Sequence, residues 1–168
     1  MVKIYLDMDG VLADFDKGVR DFCHILPTSQ NQGRGAGYDD LMWAEIRKID
    51  HFYARLELMP GAKELFGRIW EKYGKEQCEI LTGIPKPKRG ILTAGKDKED
   101  WTRRMLSEDI RVNIVFREQK PEYCHGKDSY LIDDRESNIR EWEAIGGTGI
   151  LHRSAEETLR ELERRNLL

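Results

Sequence analysis

The sequence predicts an α/β fold: a parallel sheet of about five strands, with a small helical insert after the first strand. Two observations carry this. Short β-prone runs alternate with stretches of helical period, and three of those runs stop at acidic or hydroxyl residues.

The elements follow in order. Val2-Lys3-Ile4-Tyr5-Leu6 is a β-prone run that stops at Asp7, and Glu79-Ile80-Leu81 stops at Thr82. Val112 to Phe116 is a third run, and Ser129 to Ile132 a fourth that stops at Asp133. Thr148 to Leu151 is the fifth. Gly61 to Tyr73 has helical period through Leu65, Ile69 and Trp70, with Ala62 and Phe66 beside them. Lys98 to Leu106 carries Trp101 and Met105, Glu136 to Ile145 carries Ile139, Trp142 and Ile145, and Ala155 to Leu162 carries Leu159 and Leu162. Helical patterns between strand runs are the mark of βαβ units, whose right-handed crossovers bring all strand C-termini to one edge.

Residues 7–58 contain no clear strand. Asp14 to Ile25 reads as helix, with an apolar face of Phe15, Val19, Phe22 and Cys23. Thr28 to Gly37 is polar and glycine-rich, the composition of a mobile loop. Asp40 to Ile49 reads as helix again, followed by the aromatic pair Phe52-Tyr53. Residues 15–58 are expected to be a small helical cap over the catalytic edge, too short to own a core. Residues 1–14 and 59–168 are expected to form the core domain.

Length and composition narrow the class. The 168 residues suit one domain, and a net charge of −3 gives no strong nucleic-acid signal. Cys23, Cys78 and Cys124 are odd in number and widely spaced, which speaks against a disulfide framework and for a reducing cytoplasm. The start MVKIYLDMDG has no long apolar run, so a signal peptide is not expected, nor is any membrane span. His24, His51, His125 and His152 have no zinc spacing.

The chemistry concentrates at the strand ends, where open α/β sheets bind ligands. Those ends carry Asp7-Met8-Asp9-Gly10, Thr82-Gly83 and Asp133-Asp134. Gly10 permits a sharp turn after the two acids. Four carboxylates in one crevice repel one another unless a cation shares the site. Hard oxygen donors in that number suit Mg2+, completed by phosphate oxygens of a substrate. A threonine hydroxyl and a lysine ammonium suit the other phosphate oxygens, and an aspartate nucleophile splits ester hydrolysis into two easier steps.

The run DMDGVLADF at 7–15 resembles motif I of the haloacid dehalogenase (HAD) superfamily. Ile80-Leu81-Thr82-Gly83 resembles its motif II, and Leu131-Ile132-Asp133-Asp134-Arg135 its motif IV, in matching order. DMDGVLADF, LIDDR, Met59-Pro60-Gly61-Ala62 and the stretch from Trp142 are similar to the 5'(3')-deoxyribonucleotidases and their small bacterial and phage relatives. The resemblance is weakest over 24–50 and 84–111. It implies a three-layer Rossmannoid core and a magnesium-dependent phosphoric monoester hydrolase working through a phosphoaspartate. It implies Asp7 as nucleophile and Asp9 as acid and then base. Asp7, the Asp9 main-chain carbonyl and Asp133 would hold Mg2+, with Asp134 in support. Thr82 and Gly83 would meet the phosphoryl group, and Lys86 a phosphate or other substrate oxygen. For the motif III lysine, Lys120 is preferred to Lys127, because Pro121 and the loop after the third strand put it at the catalytic edge. Phe15, and beside it Trp43, Phe52 and Tyr53, are candidates to stack on a nucleobase.

Each residue also has a plainer role open to it: capping for the aspartates, strand-end packing for Thr82, a solvated surface for the lysines and core for the aromatics. The expected partner is a small phosphorylated substrate, a nucleoside monophosphate first, acting on a monomer or homodimer. The alternatives are a HAD phosphatase for a sugar phosphate or a polynucleotide 3'-phosphate, a phosphomutase, and a non-catalytic binding domain. The intact D-x-D argues against that last alternative and against a dehalogenase.

Overall fold

In a computed structural model, which describes residues 1–31, 33 and 35–168, five parallel strands lie in the order β3-β2-β1-β4-β5. They are β1 (Lys3–Leu6), β2 (Cys78–Gly83), β3 (Arg111–Val115), β4 (Ser129–Asp133) and β5 (Thr148–Leu151). β1 is central. Its Leu6 pairs with Ile80 of β2 and Ile132 of β4, so the ends of three strands come level.

Alternation along the strands divides the core. Ile4, Leu6, Ile80, Ile132 and Ile150 face one side, and Tyr5, Leu81 and Leu131 the other. On the first side lie α3 (Ala62–Gln77), α4 (Ala94–Met105) and α6 (Ala155–Arg164), through Leu65, Ile69, Trp101 and Leu162. On the second lies α5 (Glu136–Ala144), through Ile139 and Trp142. Right-handed crossovers that run outward in both directions from β1 and β4 require this sidedness. They also open a crevice between those strands, beyond Asp7 and Asp133.

Two connections differ from the helical reading. β3 joins β4 through a 3-10 stretch, Arg117–Tyr123, which holds Pro121 and buries Lys120. α6 follows the last strand and links nothing. α3 also runs beyond Tyr73, with a left-handed break at Gly74 (φ 57, ψ −169). α4 starts at Ala94, a turn before the expected Lys98.

The insert is less regular than its periodicity suggested. α1 (Phe15–Gly18) is one turn, capped by Asp14 Oδ1 on the Lys17 amide. It runs into a π-turn, Val19–Cys23, which ends where His24 takes a left-handed φ of 57°. α2 (Ala36–Arg47) starts earlier than Asp40 and stops before Ile49. The expected mobile loop at 28–37 is replaced at its edges by a 3-10 turn, Thr28–Gln30, and the start of α2. Its Gln32 and Arg34 lie outside the described residues. Val19, Ile46, Phe52, Tyr53 and Leu56 are buried in the same cluster as Ile4 and Leu6, so the insert packs directly on the sheet side. Among the described residues, no helix is long and apolar enough to cross a membrane.

Candidate active site

Asp7 stands at the end of β1, where its amide donates to the Ile132 carbonyl of β4 (2.9 Å). The chain then turns tightly: the Leu12 and Ala13 amides both donate to the Met8 carbonyl (2.8 Å each). Met8 is fully buried, which leaves Asp7 and Asp9 on the cavity side. Gly10 is needed for two reasons. Its φ is +79°, and a Cβ there would lie 2.2 Å from Asp134 Oδ2. The absent side chain is what lets the β4 loop close on the β1 loop.

Asp7, Asp133 and Asp134 each offer a carboxylate oxygen, all within 4.8 Å of one another. Lys120 lies among them, nearly buried, with Nζ 3.0 Å from Asp7 Oδ1 and 2.7 Å from Asp133 Oδ2. Both Asp133 oxygens are hydrogen-bonded: Oδ2 also accepts from Asn138 Nδ2 (2.9 Å), and Oδ1 from the Arg135 amide (2.9 Å). Asp134 makes no such side-chain bond among the described residues and lines the cavity. Burial, with Asp133 and Asp9 adding to it against the pull of Lys120 and Lys98, raises the Asp7 pKa to about 6. Burial and the charges of Asp7 and Asp133 raise Asp134 to about 7. Carboxylates pushed up in this way are under-compensated by the cations at hand. A divalent cation with hard oxygen preference fits that deficit.

A second lysine completes the crevice, and sequence reasoning missed it. Lys98, on α4, is fully buried and donates to Asp9 Oδ2 (2.7 Å), Thr82 Oγ1 (2.9 Å) and Gly83 O (2.7 Å). Its trace in the sequence was a lysine on the same helical stripe as Ala94, Trp101 and Thr102. Three arginines at the rim, Arg117, Arg135 and Arg153, were also missed. Arg135 directly follows the acidic pair and Arg117 stands three before Lys120, which was signal enough.

The cavity is about 810 Å³ in volume. Its lining includes Asp7, Asp9, Lys120 and Asp134, and also Phe15, Trp43 and Tyr53. Phe15 is half-buried, 6.0 Å between centroids from Trp43 and stacked on Tyr53 at 6.2 Å. Phe52 does not reach the cavity: it is a core ring behind Phe15. Lys86 is also elsewhere, because its ammonium pairs with Glu118 and sits 4.4 Å over the Phe116 ring. Thr82 is fully buried behind the lining, with its oxygen accepting from Lys98, while Gly83 lines the cavity. Lys127 is exposed, far from this arrangement in its contacts: its carbonyl accepts from Thr148 Oγ1 (2.8 Å).

No family model matches the chain. Over 136 residues, 80% of this chain and 67% of the relative, it is 29% identical to the "Putative 5'(3')-deoxyribonucleotidase" of Vibrio phage KVP40. Its structure is similar to that of a HAD family enzyme of Bacteroides thetaiotaomicron, crystallised as a magnesium complex. The TM-score is 0.55, the identity 15%, and the match covers 98% of each chain. It is also similar to L-2-haloacid dehalogenase from Xanthobacter autotrophicus, with a TM-score of 0.51, 15% identity, and 97% of this chain and 83% of that one covered. The fold is therefore the HAD-like one, and the resemblance drawn from motifs I, II and IV agrees with both comparisons.

Proposed function

From a chain with the HAD-like fold and a sequence similar to a nucleotidase of that kind, we propose a phosphomonoester hydrolase that takes a nucleoside monophosphate. One observation carries it: a single cavity is lined both by a cluster of carboxylates with a lysine and by aromatic rings. A phosphate suits the first and a nucleobase the second. The fold itself does not choose, since a dehalogenase shares it.

Asp7 acts as the nucleophile. With a pKa near 6 it is mainly ionised at neutral pH, and Lys120 holds Oδ1 while Oδ2 is left to attack phosphorus. As the Asp7–phosphorus bond forms, the bond from phosphorus to the ester oxygen breaks, and Asp9 protonates the departing oxygen. Asp9 then takes a proton from water, which attacks the phosphoaspartate and releases phosphate. Lys120 and Arg135 supply positive charge toward the phosphoryl oxygens, while Arg117 and Arg153 line the same cavity but pair with Glu141 and Glu136. Asp7, Asp133 and Asp134, with the Asp9 main-chain carbonyl, would hold Mg2+, whose charge stabilises the oxygens of the transferring group. Residues 15–58 serve as the cap that supplies the aromatic wall.

The test is a phosphate-release screen of nucleoside monophosphates, sugar phosphates and p-nitrophenyl phosphate, with wild type and Asp7→Asn. Release from nucleotides by wild type, lost in a folded Asp7→Asn protein, is expected. Wild-type rates in that variant would end the phosphoaspartate reading. Sugar phosphates turned over in preference to every nucleotide would end the nucleotidase reading.

A further inference from the structure

Lys98 has no part in the scheme above, yet its side chain is fully buried inside the site. An ammonium has three N–H donors, and all three are used: on Asp9 Oδ2, Thr82 Oγ1 and Gly83 O. Its charge also lies 4.6 Å over the face of the Tyr53 ring. One side chain thus joins the loop after β1, the end of β2 and the insert.

Asp9 depends on that contact. Its Oδ1 is buried and has no hydrogen-bond partner, and its Oδ2 is held by Lys98. Among the described residues, Lys98 is therefore the one side chain that bonds the Asp9 carboxylate. Lys98 is itself well anchored, because α4 grips the last part of the insert along one face. His51 Nδ1 lies 2.7 Å from Asp97 Oδ1, Trp101 Nε1 donates to Leu56 O (2.8 Å), and Arg104 donates to Ala54 O (2.5 Å).

We propose that Lys98 is a positioning residue: it sets the orientation of the Asp9 carboxylate toward the ester oxygen, and it ties that orientation to Thr82 and to the insert. The proposal rests on the hydrolase reading and assigns a residue that reading leaves idle. Lys98 touches neither substrate nor the reacting atoms. It acts through Asp9, so its loss must be felt where proton donation by Asp9 matters and spared where it does not.

Leaving groups separate the two cases. A sugar hydroxyl leaves as a strongly basic alkoxide and needs the proton, whereas p-nitrophenolate needs little help. A positioned general acid supplies ~10²–10⁴-fold, and kcat/KM reads the steps up to departure of the leaving group, before the phosphoaspartate hydrolysis that all esters share; Lys98→Met is therefore expected to lower kcat/KM on a nucleoside monophosphate about 100-fold, and on p-nitrophenyl phosphate under about tenfold. The second arm uses Asp9→Asn with and without Lys98→Met, assayed on the nucleoside monophosphate, where Lys98→Met alone is expected to cost about 100-fold. Removing both charges leaves no lone ion buried, so the double variant keeps the fold even if the single one does not. If Lys98 acts through Asp9, the second substitution adds less than about threefold to the first, because coupled residues are non-additive. Equal losses of kcat/KM on both esters, or full additivity in the double variant, would overturn the positioning role. A wild type inactive on every ester would instead overturn the hydrolase reading itself.

Discussion

Lys120 holds its ammonium 3.0 Å from Asp7 Oδ1, and the same nitrogen bonds Asp133. Two buried carboxylates are thus tied to one cation, which favours the ionised form of Asp7 against burial. Replacing Lys120 by alanine removes that charge and should lower phosphate release by about 10²-fold or more, the scale of losing one stabilising donor. It should also destabilise the fold by about 3–5 kcal/mol, since partners of a broken buried pair stay behind. Lys127→Ala changes an exposed side chain and should leave both within error. Assays below the melting transition of each variant check this. The reverse order of losses would transfer the role to Lys127.

Metal binding has a readout that needs no turnover. Mg2+ that binds only the folded protein raises its stability by RT ln(1 + [Mg2+]/Kd), about 2.7 kcal/mol at a hundredfold excess over Kd. Wild type should therefore melt several degrees higher in saturating Mg2+ than in EDTA. Asp134→Asn should lose most of that shift, because its carboxylate lines the cavity and has no side-chain bond among the described residues. An unchanged melting temperature across the titration would remove Mg2+ from the site.

How legible this was can be traced residue by residue. The strand-end places of Asp7, Thr82 and Asp133 were legible because each ends a short apolar run, and parallel strands level those ends, but the burial of Thr82 behind the lining was not. Lys120 was found from Pro121 and the loop after β3. Lys98 was hidden because its signal is one cation on an apolar stripe, which reads equally as a snorkelling lysine. Lys86 failed for a related reason: closeness in sequence to Thr82 says nothing about Glu118, which comes from another loop and claims its ammonium. The insert was read as two helices from its period alone. The π-turn at Val19–Cys23 keeps a helical pattern of apolar residues while adding a residue to the turn, so periodicity could not expose it.

His152 provides a pH test. It is nearly buried, its Nδ1 lies 2.8 Å from Thr158 Oγ1, and burial lowers its pKa to about 4. In the unfolded chain it titrates near 6.5, so between those values the unfolded state binds more protons. Its stabilising contribution is complete above about pH 6.5 and is lost as pH falls toward 4, about 2 kcal/mol of it between pH 7 and pH 5. Asp7 and Asp134 run the other way, since carboxyls with raised pKa gain stability as pH falls through those values. The measure is therefore a difference. Urea melts of His152→Gln should lose about 2 kcal/mol less stability than wild type over that interval. Parallel pH profiles for the two proteins would show that His152 is charged in the fold.

Phe15 tests the aromatic wall. Its ring lines the cavity and leans on Trp43, Phe52 and Tyr53, which fix its orientation before any ligand arrives. A pre-oriented face loses little freedom when a base stacks on it, and stacking is worth about 1–3 kcal/mol per base. Phe15→Ala should therefore lower kcat/KM on a nucleoside monophosphate about fivefold or more, with most of the change in KM. On p-nitrophenyl phosphate, whose ring is small and close to the phosphorus, the loss should stay under about twofold. The mutation also removes ring contacts, and full burial of a Phe would make that about 3–5 kcal/mol; half-burial makes it less. A thermal melt places the assay temperature where the variant is folded. Equal losses on the two esters in a folded variant would assign Phe15 to packing alone, and the base would then have to rest on Trp43, the other half-buried ring of that wall.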